Sequence, residues 1–189
     1  PSSPIDTSNG GVFPKNTLVS GHGLYHPDDF AFMIAIPGVP VVYYGDEIGM
    51  AGANDPDSRR MMRFNDDGDS ISLQELNNKL TVEHLLKFRS ESMPLLYGDC
   101  KVTTPSDNQL IVERNYFGKK VIFLFNSSTV DTEFDLTNFI DGKSKLDGVD
   151  LNNDNSLYPL KLNIYKTNGN LLSKKLLVKN EQFVILTQN

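Results

Sequence analysis

Residues 37–50 read Pro-Gly-Val-Pro-Val-Val-Tyr-Tyr-Gly-Asp-Glu-Ile-Gly-Met. From Val39 to Tyr44 the run is continuously apolar, β-branched or aromatic, the pattern of a strand buried on both faces. Just before it, Phe30, Phe32, Met33, Ile34 and Ile36 suit a short buried helix. Pro37-Gly38 ends that helix, because proline cannot continue it and glycine tolerates positive φ. A helix feeding such a strand is the unit of a parallel α/β sheet or barrel.

Working outward, residues 1–16 are rich in Pro, Ser, Gly and Asn and read as irregular chain. On the other side, Gly45 to Ser70 is a long polar segment. It carries Asp46, Glu47, Asp55 and Asp57, and also Arg59, Arg60 and Arg63, three of the five arginines. Loops beyond about 12–15 residues inside a compact domain are uncommon and tend to be functional. Ser72-Leu73-Gln74-Glu75 has capping-box spacing and predicts a helix start. Leu76, Leu80, Leu85, Leu86 and Phe88 supply its apolar face, and Pro94 ends it. Thr81 leaves open one bent helix or two short ones.

Beyond Leu95 the periodicity changes. Leu110–Tyr116, Val121–Asn126 and Val130–Leu136 read as strands, the last with strict period-two alternation. Leu157–Tyr165 and Leu171–Val178 flank Asn168-Gly169, a hairpin signal, and Gln182–Thr187 is a final strand. Residues 138–156 read as loop. Short strands at this spacing predict an antiparallel sandwich over residues 94–189, with a boundary near Met93-Pro94.

Composition narrows the function classes. The 189 residues are 39% hydrophobic and 22% charged, as in a folded globular chain. A net charge of −6 argues against a sequence-independent grip on nucleic acid. The longest apolar stretch, Phe30 to Tyr44, is broken by Pro37, Gly38 and Pro40, and falls short of the roughly 20 residues of a membrane helix. The single cysteine, Cys100, excludes a disulfide within this chain and a multi-cysteine zinc site. Residue 1 is Pro and no signal segment follows, so a longer or processed gene product is expected. The compartment stays open, with a slight lean towards an exported protein.

Residues 37–50 closely resemble the eighth barrel strand of the α-amylase family of glycoside hydrolases. Asn54 to Phe64 resembles the arginine-bearing loop that follows it, with Met61 at a proline position and Phe64 at a tryptophan position. Leu85-Leu86-Lys87-Phe88-Arg89 and Leu95-Leu96-Tyr97-Gly98-Asp99 resemble the last barrel helix and the passage into the C-terminal β-domain. The resemblance implies that residues 1–93 are the end of a (β/α)8 barrel and residues 94–189 a β-sandwich domain. Active sites of such barrels lie at the C-terminal ends of the strands. Asp46, Glu47, Asp57, Arg59 and Arg60 are therefore the expected substrate-binding residues. For Asp46 and Glu47 the rival role is bracing the loop through backbone amides and ion pairs. For Arg59 and Arg60 it is an ion pair with Asp55 or Asp57.

Other acidic and histidine groups point to less. Asn65-Asp66-Asp67-Gly68-Asp69-Ser70 fails the EF-hand spacing and reads as a solvated turn. His22, His26 and His84 lack ligand spacing. Within the resemblance, Ser20-Gly21-His22-Gly23 is a divergent or truncated seventh-strand site, with Gly23 where the family has a carboxylate. Retaining glycosidases need a nucleophile and a general acid roughly 5–5.5 Å apart, and the family takes both from barrel strands earlier than this segment. A whole barrel takes about 250 residues. The segment is thus expected to carry no catalytic residue, metal or cofactor of its own, calcium being left to the parent protein. The expected partners are an α-glucan or malto-oligosaccharide, and the rest of the barrel or a second copy of the chain. The rival reading is a noncatalytic carbohydrate-binding or scaffold module.

Overall fold

A computed structural model of the chain describes residues 27–50, 59–64, 71–139, 146–148 and 175–188. The described residues hold three α-helices: α1 (Pro27–Ala35), α2 (Leu73–Glu91) and α3 (Met93–Tyr97). The strands among the described residues are β1 (Asp99–Ser106), β2 (Gln109–Tyr116), β3 (Lys119–Asn126), β4 (Thr132–Asp135), β5 (Leu146–Gly148), β6 (Lys175–Val178) and β7 (Gln182–Gln188). The Asn168-Gly169 hairpin and the Leu157–Tyr165 strand lie outside the described residues. The chain divides into two compact units, residues 1–30 with 41–83, and residues 31–40 with 84–189.

In the first unit the Ser72 cap forms as its sequence predicts. The Ser72 amide donates to Glu75 Oε2 at 2.7 Å, and the Glu75 amide donates to Ser72 Oγ at 3.3 Å. Two free amides at the helix start are thereby satisfied. α2 runs through Thr81 unbroken, the Thr81 hydroxyl bonding back to the Asn77 carbonyl at 2.9 Å.

The strand expected at Val39–Tyr44 is absent. Residues 39–43 belong to no ladder, and Tyr44-Gly45 form a turn. Val39 is 87% and Val41 76% exposed, the reverse of the double-sided burial expected. The physical reason is that a parallel strand exists only through hydrogen bonds to neighbours, and no described strand runs beside this one. A barrel remnant is therefore not seen here, whereas the antiparallel part of the expected architecture is.

The second unit holds a five-stranded antiparallel sheet of order β1-β2-β3-β7-β5 and a two-stranded sheet of β4 and β6. Register fixes the faces. Ile122 pairs with Leu186 and Leu124 with both Ile111 and Val184, which puts these residues on one face. They meet Phe134, Leu136, Phe139, Leu176 and Val178 in one buried cluster, the interior of a sandwich. The opposite face carries Val112, Val121, Phe123, Phe125, Phe183 and Ile185, also buried. Phe32 of α1 packs edge-on against Phe125 there, with ring centroids 6.1 Å apart. Both faces of β3 are covered, which explains the unbroken apolar run Val121–Phe125. On the second sheet Lys175 lies 2.7 Å from Glu133 of β4, and Lys179 lies 2.5 Å from Asp131, the residue before β4.

Two buried arginines hold the helical lead-in to the sheet. Arg89 of α2 donates to the carbonyls of Ile34, Ile36 and Gly38, at and just past the C-terminus of α1. Arg114 of β2 donates to the Ala35 carbonyl at 3.0 Å and the Gly98 carbonyl at 2.9 Å. The last carbonyls of a helix lack intrahelical partners and carry the negative end of its dipole. Guanidinium forks satisfy both demands at once. Burial lowers the pKa of each arginine from its ordinary value, yet both stay charged.

β1 has no obvious strand signature, because it is an edge strand whose side chains are mostly exposed. Its register shifts between Thr103 and Ser106, where Pro105 sits, and proline is confined to such edges and irregularities. Gly98 leads into it. A Cβ there would stand 2.5 Å from the Pro94 carbonyl oxygen and 2.7 Å from that of Asn115, so only glycine allows this approach. Cys100 is a free, half-buried thiol.

Candidate functional site

The candidate residues gather at one turn of the first unit. Gly45 and Gly49, at φ 93° and 69°, bracket a single 3₁₀ turn, Asp46–Ile48. The positive φ at Gly45 reverses the chain, and the Met50 amide closes the loop on the Gly45 carbonyl at 2.9 Å. Ile48 is fully buried and anchors the turn. The turn presents two neighbouring carboxylates, both half-buried.

They play different parts. Glu47 Oε2 accepts the Gly45 amide at 2.8 Å. That is the loop-bracing role, in which the side chain satisfies a backbone donor of its own turn. Asp46 is held differently. Burial raises its pKa above 3.8, the Tyr43 backbone opposes that shift, and the Glu47 charge adds to it. A carboxyl so placed binds a proton more readily than a free aspartate.

The arginine segment is tied to the same turn. The Tyr44 hydroxyl donates to the Arg60 carbonyl at 3.0 Å, spanning 16 residues. The Tyr43 and Tyr44 rings lie 4.6 Å apart, tilted by 44°. Desolvation and then the Tyr43 phenol raise the Tyr44 pKa above its ordinary value, with Arg59 opposing. Tyr43, Tyr44, Arg59 and Arg60 thus share one neighbourhood. Arg59 is exposed and Arg60 half-buried. Arg63 pairs instead with Glu75 of the capping box, a structural bond. Asp57, Asp55 and Asn65–Ser70 lie outside the described residues, as do His22 and His26.

Tyr44 is the residue that sequence reasoning undervalued. The apolar run Val39–Tyr44 disguised it as strand interior, although its phenol tethers the loop. Among the described residues, no three His, Cys, Asp or Glu side chains converge as metal ligands. No described helix is long and apolar enough to cross a membrane.

Comparison with known proteins gives these features a context. No family model matches the chain. A cyclomaltodextrinase of Thermoanaerobacter pseudethanolicus is 30% identical over 141 residues, covering 75% of this chain and 21% of the relative. A maltogenic α-amylase of Bacillus acidopullulyticus is 31% identical over 113 residues, covering 57% of the chain and 18% of the relative. The chain spans about a fifth of the length of these relatives. In fold it is similar to an α-amylase from Geobacillus thermoleovorans solved with acarbose. The TM-score is 0.66 at 21% identity, over 86% of this chain and 32% of that one. These relatives place the chain among glycoside hydrolases. It is homologous to the C-terminal region of the α-amylase family.

Proposed function

We propose that the chain is the C-terminal portion of an α-amylase-like glycoside hydrolase that acts on α-glucosidic bonds in malto-oligosaccharides or starch-like glucans. The observation that carries this reading is the 141-residue homology to a cyclomaltodextrinase. In it, residues 1–93 end a catalytic barrel and residues 94–189 form its β-domain, onto which residues 31–40 and 84–93 pack. The Asp46, Glu47, Asp57, Arg59 and Arg60 loop contributes to the substrate cleft. Glu47 and Tyr44 hold the loop, while Asp46 and the arginines meet sugar hydroxyls. The exposed Val39, Val41 and Tyr43 support a further element of the reading. They would be covered by the rest of the barrel or by a second copy.

The nucleophile and general acid are assigned to segments outside this chain. Asp46 and Glu47 are adjacent on one 3₁₀ turn, whereas a retaining pair must flank a glycosidic bond from two sides. No cofactor is assigned to this segment, and calcium is left to the remainder of the protein. The test compares the purified 189-residue chain with a longer polypeptide containing it, on a chromogenic maltoside. Turnover is expected only from the longer protein. Turnover by the 189-residue chain above a boiled control would overturn the assignment of the chemistry.

A further inference from the structure

The β2–β3 hairpin ends in a costly turn. Tyr116 pairs with Lys119, leaving Phe117-Gly118 as a two-residue loop. Phe117 has a φ of 48°, in the left-handed region, and Gly118 one of 85°. Asn, Asp or Gly ordinarily fill the first position of such a turn, and a bulky residue there is an outlier. Phe117 is also 92% exposed. A strained, exposed ring adds little to a core, and such outliers cluster at ligand sites.

The ring does not stand alone. Phe117 meets Tyr116 edge-on with centroids 4.7 Å apart, and Tyr116 meets Tyr97 at 6.3 Å. Tyr97 is 69% exposed. The three rings form a continuous aromatic surface with two phenol hydroxyls. Beside it lies a pocket of about 310 Å³, lined in part by Glu91, Ser92, Pro94, Lys119 and Thr187. The two features are neighbours in the chain and in the ladder. Lys119 lines the pocket and stands opposite Tyr116 in the ladder, while Pro94 lines it three residues before Tyr97 in α3.

We propose that this surface binds an α-glucan chain, one glucosyl unit entering the pocket and its neighbours lying over the rings. The pocket is at the small end of the ligand range, sized for one such unit. Sugar rings present apolar C–H faces to aromatics and hydroxyls to polar groups. The lining offers the Glu91 carboxylate, the Lys119 and Lys120 ammonium groups and two hydroxyls. Lys120 is already paired with Glu113 at 3.3 Å, so the remaining charges balance and a neutral polyhydroxyl ligand is matched. An anion would meet Glu91 and a cation Lys119. The choice of an α-linked glucan rests on the functional reading above.

The test is affinity electrophoresis of the 189-residue chain in native gels containing amylopectin, with laminarin, a β-linked glucan, as the control polymer. Amylopectin should retard the chain, and laminarin should not. Phe117→Asn suits the left-handed turn, so it should keep or raise the melting temperature while weakening amylopectin affinity by about tenfold. Tyr97→Ala should weaken it similarly. The proposal is overturned by an absence of retardation in the native chain, by equal retardation in laminarin, or by undiminished affinity in a folded Phe117→Asn variant. Amylopectin binding that depends on Phe117, in a chain whose longer polypeptide does not cleave maltosides, supports the site and overturns the hydrolase reading instead.

Discussion

Replacing Arg114 by Ala should be among the most damaging single changes in the second unit. The side chain is 1% exposed. Its two terminal nitrogens donate to Ala35 at 3.0 Å and Gly98 at 2.9 Å. Hydrogen bonds from a charged donor contribute about 1.5–3 kcal/mol each, so the pair is worth ~3–6 kcal/mol gross. Removing the charge returns part of the cost of burying it, and Arg114 Nε has no partner to lose. The expected net loss is about 2–4 kcal/mol. Urea unfolding of the full chain, followed by far-ultraviolet circular dichroism, measures it as a lower midpoint. Arg114→Lys keeps the charge but loses the fork that reaches two carbonyls, so it should fall between native and Ala. A loss below about 1 kcal/mol in the Ala variant would refute the reasoning. So would an Arg114→Met variant as stable as the native chain, because the two carbonyls would then be finding partners elsewhere.

Three further outcomes are expected. Gly98→Ala forces a Cβ against two backbone carbonyls and should cost about 1–3 kcal/mol; an unchanged melting temperature would show that α3 yields freely. Burial pushes the Glu75 carboxyl up, but the Ser72 amide, the Arg63 guanidinium and the Ser72 hydroxyl outweigh it and leave the pKa below 4.5. The stability it supplies is therefore present above pH 4.5 and lost as pH falls through the lower folded value. Glu75→Gln should remove that part of the acid sensitivity, read from urea midpoints between neutral and acid pH, and cost about 1 kcal/mol at neutral pH. In a longer, active polypeptide, Arg60→Ala should lower kcat/KM by about ten- to a hundredfold with little thermal effect. Normal kinetics with a lowered melting temperature would make Arg60 a structural residue.

The sequence by itself determined whatever depends on near neighbours. The Ser72-Glu75 box announced the start of α2, because both of its hydrogen bonds close within four residues. The alternation from Val130 to Leu136 announced β4, because period two is a property of one strand beside one core. The continuous run in β3 was legible as strand, although its burial on both faces became clear only when Phe32 was found against Phe125. The candidate loop was visible as a concentration of Asp, Glu and Arg, but not the division of labour within it.

Tertiary structure decided everything that needs a distant partner. Val39–Tyr44 has the composition of a buried strand, yet a strand is a relation between chains of hydrogen bonds, and here no described strand completes it. Edge strand β1 was illegible because exposure to solvent removes the hydrophobic alternation that betrays a strand. Nothing in the sequence around Arg89 and Arg114 marks them as buried. Their burial follows only from the end of α1 being brought, from more than 50 residues away, to where its free carbonyls need donors.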